Sequence, residues 1–381
     1  MTRSATGSRG ATAGDAGAHP ELDTPAVLVD LDTLERNVSS MAARAERAGV
    51  KLRPHTKTHR SAWIARRQLE HGARGITVAK LGEAEVMLAA GFTDQLIAYP
   101  IVGDLKLRRL RAIAERAAVI VSLDSVAAAE QVATVGRELG RRLPLYVDVD
   151  SGLGRCGLPP GRPTADLVLE IARLDGVEVV GLMTHAGHAY RARSAEELRR
   201  VAHQEAAALA ETAEALRRDG LPMRELSVGS TPTAHHLEEV APRYGVTEAR
   251  PGTYVFMDAN QVGLGVASEE DCALTVLASV VSRPVPDRAV LDAGSKTLGA
   301  DGGGAGGYGR VRGCPEGVIT LLNEEHAVVR VPPSCAWRVG DRVEVIPAHA
   351  CIPPNLTDEL IGTRGGAVVE AIRVDGRGRS R

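Results

Sequence analysis

The chain has 381 residues, of which 44% are hydrophobic and only 3% aromatic, and its formal net charge is -2. This length suits a barrel-sized domain plus a smaller one, and a core with few aromatic side chains is typical of α/β proteins. The small net charge provides no global basic field, so we expect neither a nucleic-acid nor a membrane partner. The sequence contains no run of about eighteen apolar residues, so no transmembrane helix is predicted.

The cysteines indicate the cellular compartment of the protein, and the first residues indicate a tail. Five cysteines, Cys156, Cys272, Cys314, Cys335 and Cys351, are odd in number and have no CxxC spacing. This usage argues against an extracellular disulfide framework and favours a reducing, cytoplasmic location. Residues 1–20 are rich in Gly, Ala, Ser and Thr without an apolar core of signal-peptide length, which predicts a disordered tail.

Short apolar runs alternate with segments of helical spacing from about residue 33 to 255. The predicted strands are residues 51–54, 75–79, 96–99, 118–123, 143–149, 179–184, 225–228 and 247–250. Eight strand–helix units predict an α/β fold, a (β/α)8 TIM barrel over residues 21–265. Residues 21–32 are also a candidate to pair with a C-terminal sheet.

The pattern changes after about residue 265, where strand-like runs follow one another without long helices. The predicted strands there are residues 274–283, 288–292, 317–322, 327–331, 342–347 and 367–374. They predict a β-rich domain over residues 266–381. Residues 299–309 are mostly glycine and are predicted to form a mobile loop.

Lys57 directly follows the first predicted barrel strand, within the segment RPHTKTH at residues 53–59. Barrel enzymes place their chemistry at this end of the strands. A lysine there can form a Schiff base with an aldehyde cofactor, because burial and nearby cations lower the pKa of an amine. A lysine chosen at random is more often a solvated loop residue, but His55 and Arg53 beside Lys57 favour the chemical role.

Two glycine-containing turns follow the seventh and eighth predicted strands, VGSTPT at residues 228–233 and RPGTY at residues 250–254. Barrels commonly bind phosphate between these two loops, where glycine permits close backbone approach and hydroxyls face the anion. Either turn alone is more often an ordinary loop with no binding role, but the two turns together predict a phosphate site. The candidate residues are Gly229, Ser230, Thr231, Gly252, Thr253 and Tyr254.

Three further side chains are predicted at the same end of the barrel. His185 and Tyr190 lie after the sixth strand and suit ring stacking or proton transfer. Arg155 lies after the fifth strand and is placed to bond an oxyanion. A structural histidine with both ring nitrogens paired is the alternative for His185, and an exposed arginine is the alternative for Arg155.

His349 and Cys351 follow a strand-like run, and a spacing of two puts both side chains on one face. A neutral imidazole and a thiolate suit Zn²⁺ better than hard cations, and two protein ligands leave coordination positions open. Two residues are a weak motif by themselves, so the pair gives only a hypothesis of metal binding.

Together, RPHTKTH, VGSTP, RPGTY, the DAG of residues 292–294 and the HAC of residues 349–351 resemble one family. The chain resembles D-serine dehydratases and D-threonine aldolases, in matching order from about residue 22 to 355. These are fold-type III pyridoxal-phosphate (PLP) enzymes. The resemblance implies an alanine racemase-like PLP barrel, a β-domain and a homodimer whose active site lies between the barrel of one subunit and the β-domain of the other.

The resemblance also implies roles for the residues described above. Lys57 would carry the cofactor, Arg155 would match a cofactor-contacting arginine and Tyr190 would lie near the pyridine ring. His349 and Cys351 match the zinc pair of D-serine dehydratases, whereas D-threonine aldolases have an aspartate at the second position and use Mn²⁺ or Mg²⁺. The complete set of predicted cofactor contacts is His55, Lys57, Arg155, His185, Tyr190, Gly229, Ser230, Thr231, Gly252, Thr253 and Tyr254.

The implied function is that of a PLP- and metal-dependent lyase acting on a small β-hydroxy D-amino acid. Cys351 favours D-serine dehydratase-like elimination to a 2-oxo acid and ammonia, and retro-aldol cleavage to glycine and an aldehyde is the alternative. A racemase ranks third, because only Tyr308 is a candidate second acid–base group. A PLP carrier is commonly a single barrel, and the second domain argues against it.

Three departures from the family pattern leave the substrate side chain open. Lys80 stands where a smaller polar residue is usual, Ser295 replaces an aromatic residue, and residues 352–354 differ after the metal pair.

Overall fold

A computed structural model describes residues 19–302 and 307–381. Residues 1–18 of the predicted tail and residues 303–306 of the predicted glycine-rich loop lie outside the described residues. Within the described ranges, no helix is both long and apolar enough to cross a membrane.

The first elements are strand β1 (Ala26–Asp30) and helix α1 (Leu31–Arg47). Asp30 begins the helix, because its carboxylate accepts a hydrogen bond of 2.7 Å from the main-chain N–H of Thr33. One face of α1 buries Leu31, Leu34 and Val38 in the core, so the helix packs along an apolar stripe.

Eight parallel strands form one sheet, in which the spatial order follows the chain. They are β2 (Lys51–Leu52), β3 (Ile76–Val78), β4 (Asp94–Ile97), β5 (Ala118–Leu123), β6 (Leu143–Asp148), β7 (Val177–Met183), β8 (Glu225–Val228) and β9 (Glu248–Ala249). The main-chain N–H groups of Arg74 and Thr77 donate hydrogen bonds of 2.8 Å to the carbonyls of Leu52 and Pro54. These bonds join the two ends of the sheet, and the predicted (β/α)8 barrel is confirmed.

Helices follow the barrel strands and cover the outside of the sheet. They are α2 (Ala62–Glu70), α3 (Leu81–Ala89), α4 (Asp104–Ala114), α5 (Val126–Glu138), α6 (Arg162–Ile171), α7 (Ala195–Arg218), α8 (Thr231–Ala234), α9 (Leu237–Tyr244) and α10 (Ala259–Gly263). The barrel strands are buried on both faces, which explains why they read in sequence as apolar runs rather than as alternating patterns.

A second, mostly antiparallel sheet of nine strands contains β1 and the C-terminal strands. The C-terminal strands are β10 (Leu274–Val285), β11 (Arg288–Leu291), β12 (Gly309–Val311), β13 (Val318–Leu322), β14 (Ala327–Arg330), β15 (Arg342–Pro347), β16 (Glu359–Arg364) and β17 (Ala367–Arg373). Short helices α11 (Ser295–Leu298) and α12 (Pro353–Leu356) lie between them. The spatial order is β11-β14-β13-β12-β15-β10-β1-β16-β17, with β11 also paired to β10.

Strands β12 and β16 were not predicted from the sequence. Strand β12 has three residues and adjoins the glycine-rich segment. Strand β16 reads ELIGTR, with Gly362 in its middle, and an interior glycine weakens the strand pattern. The neighbouring strands supply the pairing that the local sequence does not signal: β16 pairs with both β1 and β17.

A buried ion network joins the first and last barrel strands. Arg53 donates hydrogen bonds of 2.8 Å to Glu248 and 2.6 Å to Asp94, and the Arg53 and Glu248 side chains are 5% and 1% exposed. Glu248 also accepts a hydrogen bond of 2.7 Å from the Ser227 hydroxyl. Buried charges are tolerated only when paired in this way, so the barrel depends on Arg53.

Replacing Arg53 with alanine leaves Glu248 buried without its cation. We expect Arg53→Ala to lower the free energy of unfolding by about 3–5 kcal/mol, measured by denaturant unfolding followed by circular dichroism. The control is Arg47→Ala, which removes an exposed pair with Glu238 and should barely move the unfolding midpoint. Equal effects of the two substitutions would show that burial of the Arg53 network is not stabilising.

Candidate active site

A cavity of about 390 Å³ opens where the carboxyl ends of the barrel strands meet. Small-molecule and cofactor sites commonly have volumes of roughly 300–1,000 Å³. Ten of the eleven predicted cofactor contacts line this cavity, and Tyr254 is the exception. The Tyr254 side chain is fully buried beneath the loop, where its hydroxyl accepts a hydrogen bond of 3.0 Å from Gln68.

Lys57 lies in a 3₁₀ turn of three residues directly after β2. The Nδ1 atom of His55 accepts a hydrogen bond of 3.4 Å from the Lys57 main-chain N–H, which begins the turn. Burial lowers the pKa of Lys57, Cys351 opposes this shift and Arg155 reinforces it. A lowered pKa increases the fraction of neutral amine, which is the nucleophilic and basic form.

A buried carboxylate supports the Lys57 turn from below. Glu83, on α3, accepts hydrogen bonds of 2.6 Å from the Thr56 hydroxyl and 2.8 Å from the Ala79 main-chain N–H. Burial raises the pKa of Glu83, and its bond from Thr56 opposes the shift. Glu83 therefore fixes the Lys57 turn to the end of β3. No local sequence pattern indicates this role.

Both cavity histidines are neutral at physiological pH. Burial lowers the pKa of His55 well below its ordinary value, and the charge of Lys57 adds to the effect. Burial and Lys57 together lower the pKa of His185 to about 3. The Nδ1 atom of His185 contacts the Gly229 carbonyl, which fits a neutral imidazole donating to it. The two rings thus offer one donor and one acceptor nitrogen each.

The two glycine turns meet the rest of the site at close range. A Cβ atom at Gly252 would lie 2.8 Å from the Thr58 hydroxyl and 3.1 Å from the His55 carbonyl. A Cβ atom at Gly229 would lie 3.0 Å from the Arg250 guanidinium. A side chain at Gly252 would clash with the Lys57 turn and one at Gly229 would press on the buried Arg250 guanidinium, so glycine favours the close approach of the loops at both positions.

Two buried charged residues connect the loops after β7, β8 and β9. Arg250 is 5% exposed and donates hydrogen bonds to the Ser227 hydroxyl and, at 2.6 Å, to the Thr184 carbonyl. Glu205 is 1% exposed, and its Oε1 accepts hydrogen bonds of 3.0 Å from Ala186 N–H and 3.1 Å from Gly229 N–H. Glu205 was not predicted, because it reads as an ordinary acidic residue of α7.

The His349–Cys351 pair reaches the same site from the turn after β15. The Cys351 Sγ lies 3.1 Å from the Thr58 hydroxyl, and the two residues adjoin the Lys57 turn. The His349 Nδ1 lies 3.3 Å from the Asp258 carboxylate, and the His349 and Tyr190 rings meet edge-on at 6.3 Å. No group of three or more His, Cys, Asp or Glu residues with metal-site proximity occurs in the described part of the chain.

Comparison with known proteins agrees with the barrel and the second, β-rich domain described above. Residues 29–260 match the alanine racemase N-terminal domain, and residues 273–363 match the putative serine dehydratase domain. The D-threo-3-hydroxyaspartate dehydratase of Delftia sp. (strain HT23) is 38% identical over 351 residues, covering 87% of this chain and 91% of the relative. The D-threonine aldolase of Arthrobacter sp. is 37% identical over 366 residues, covering 94% of both chains.

Among solved structures, the D-threonine aldolase from Filomicrobium marinum superposes with a TM-score of 0.86 at 32% identity, covering 96% of this chain and 98% of that one. A barrel with a partly buried lysine at its mouth, joined to a β-rich sheet, defines an alanine racemase-like enzyme. The chain belongs to the family of PLP-dependent lyases that includes D-threo-3-hydroxyaspartate dehydratase and D-threonine aldolase. The resemblance noted in the sequence is thus confirmed.

Removing Glu205 should release the loops that it joins. In Glu205→Leu the buried N–H groups of Ala186 and Gly229 lose their acceptor, which we expect to cost about 2–4 kcal/mol. Hydrogen exchange at these two amides should become faster, whereas Glu205→Gln keeps an amide oxygen at the same place and should preserve protection. Unchanged exchange in Glu205→Leu would mean that Glu205 does not hold the loops together.

Proposed function

We propose that the chain is a D-serine dehydratase-like lyase, which eliminates the hydroxyl group of a β-hydroxy D-amino acid to give a 2-oxo acid and ammonia. The observation that carries the proposal is the 3.1 Å contact between Cys351 Sγ and the Thr58 hydroxyl. It sets a thiol–imidazole pair beside the Lys57 turn. Relatives named D-threo-3-hydroxyaspartate dehydratase and D-serine dehydratase support this substrate class.

The cavity fits PLP. The narrow approaches at Gly229 and Gly252 and the hydroxyls of Ser230, Thr231 and Thr253 form a cradle for its phosphate. Lys57 is the amine that would join its aldehyde, and Tyr190 and the neutral His185 would border its ring. When bound, PLP supplies an electron sink for negative charge at the substrate Cα.

Lys57 is the proposed base. Burial lowers the pKa of its Nζ, which increases the fraction of free amine that can take the Cα proton of the substrate. Burial raises the pKa of Tyr190 far above neutral, so its hydroxyl stays protonated and donates hydrogen bonds. Arg155, which lines the cavity, is a cation that can orient a carboxylate or phosphate oxygen.

The His349–Cys351 pair fits a zinc ion. Imidazole nitrogen and thiolate sulfur are the donors that Zn²⁺ prefers. Burial raises the pKa of the Cys351 thiol, but the charge of His349 and its hydrogen bond outweigh this effect, so the pKa is lowered. Asp258 contacts the second ring nitrogen of His349, as carboxylates commonly do for metal-binding histidines. When bound, Zn²⁺ supplies a Lewis acid for an oxygen leaving group.

We also propose that the protein is a cytoplasmic homodimer. Each chain would have two domains, at residues 21–265 and 266–381. Tyr99 at the cavity is 39% exposed, and Val102 and Leu105, which follow it in the chain, are 49% and 73% exposed. Exposed apolar side chains close to a site favour a protein interface. The five cysteines are free, which supports a reducing compartment. A monomer in sedimentation velocity would contradict the dimer.

Product analysis tests the reaction. Protein loaded with PLP and Zn²⁺ should release a 2-oxo acid from a β-hydroxy D-amino acid, and Lys57→Ala should lower the rate at least about 10³-fold by removing the base. Lys296→Ala is the matched control, because the Lys296 side chain, on helix α11, is 64% exposed and pairs with Glu325. Glycine and an aldehyde as products would instead identify an aldolase.

Metal analysis tests the pair. His349→Ala or Cys351→Ala should abolish stoichiometric zinc, measured by atomic emission, while PLP absorbance remains. Cys156→Ala, which alters a different cavity thiol, should keep its zinc. Cys351→Asp should shift the preference toward Mn²⁺ or Mg²⁺, because a carboxylate is a harder ligand. Full zinc content in Cys351→Ala would remove this residue from the metal site.

A further inference from the structure

Lys80 lines the same cavity as Lys57 but has no part in the function proposed above. It directly precedes helix α3, and its side chain makes no cap hydrogen bond to that helix. Its Nζ lies 3.2 Å from the centroid of the Tyr99 ring, which follows β4 and also lines the cavity. The Tyr99 contact therefore holds the amine at the cavity wall.

The cation of Lys80 has no carboxylate partner among the described residues. A cation–π contact positions an ammonium group without neutralising it. Of the residues that line the cavity, Asp148 is the one carboxylate, and burial raises the pKa of Asp148 to about 7, with Arg250 opposing. Lys80, Arg155 and Arg250 face this single carboxylate in the lining, so the wall carries a net positive charge that attracts anionic groups of a ligand.

The other basic side chains of the wall already have partners or proposed roles. Arg250 bonds to Ser227 and Thr184, and Lys57 is the proposed cofactor amine. Because the two glycine turns and their hydroxyls form the proposed phosphate cradle, Arg155 is left for the α-carboxylate of the substrate. Lys80 is the surplus cation, so a substrate with only one carboxylate would leave it without a counter-charge in a partly enclosed site.

We propose that Lys80, positioned by Tyr99, binds a second carboxylate attached to the β-carbon of the substrate. The enzyme would then prefer a β-hydroxy D-amino acid with two carboxylates over D-serine or D-threonine. This inference rests on the proposed function, which supplies the elimination reaction. It adds Lys80 as the residue that selects the side chain of the substrate.

A matched pair of substrates isolates the second carboxylate. D-threo-3-hydroxyaspartate and D-threonine share their configuration and differ in one β-substituent, a carboxylate in place of a methyl group. D-aspartate and D-2-aminobutyrate form a second pair that lacks the β-hydroxyl and cannot undergo the elimination. Their dissociation constants, measured from the absorbance of the PLP-loaded protein, report binding without turnover.

The test variant is Lys80→Gln, which keeps a polar side chain of similar reach and removes the charge. We expect kcat/KM for D-threo-3-hydroxyaspartate to fall roughly 10- to 100-fold, mainly through KM, with little change for D-threonine. D-aspartate should bind more weakly by a similar factor. Lys80→Arg should recover most of the preference, and Tyr99→Leu should lower it by about 2- to 5-fold.

Two outcomes overturn the inference while leaving the reaction intact. One is a wild-type enzyme that prefers D-threonine, and the other is a Lys80→Gln variant that loses activity equally on both substrates. If wild-type protein with bound PLP turns over neither substrate, the proposed function fails instead. The binding arm still tests Lys80 in that case, and equal D-aspartate affinity of wild type and Lys80→Gln would overturn its role.

Discussion

The buried carboxylate of Asp258 joins the two halves of the site. Its oxygens accept hydrogen bonds of 3.0 Å from the main-chain N–H groups of Gln261 and Ala350, and one of them lies 3.3 Å from His349 Nδ1. A fully buried carboxylate is stable only with such partners. Ala350 stands between His349 and Cys351, so the same contact holds both side chains against the Lys57 turn. Together with the contact between Cys351 Sγ and the Thr58 hydroxyl, it fixes the turn after β15 to the barrel mouth.

Desolvation sets the chemistry of the barrel mouth. Burial favours the neutral forms of Lys57, His55 and His185, because a low local dielectric penalises charge. The buried carboxylates Glu83 and Glu205 lie behind the wall, where they accept main-chain hydrogen bonds and order the loops. The site therefore combines reactive groups that are free to exchange protons with supporting groups whose hydrogen bonds are satisfied.

The sequence predicted the parts of the site that carry a local signal. The eight barrel strands were recognisable as apolar runs, and Lys57 and the two glycine turns were recognisable because they follow such runs. Glu205 and Asp258 were not, since each reads as an ordinary acidic residue. Asp258 and Ala350 are 92 positions apart in the chain. Tyr254 was predicted to contact the cofactor, but its side chain is buried in the core. A turn motif places the backbone at the site and does not specify the direction of the side chain.

The most direct test of the proposed site is to identify the lysine that carries PLP. The chain has five lysines, and both Lys57 and Lys80 line the cavity, so absorbance alone does not distinguish them. Borohydride reduction of the PLP-loaded protein fixes the cofactor covalently to its lysine, and peptide mapping by mass spectrometry then locates it. An adduct confined to the peptide that contains Lys57 is the predicted result. An adduct on Lys80, with Lys57 unmodified, would contradict both the cofactor assignment and the role given to Lys80.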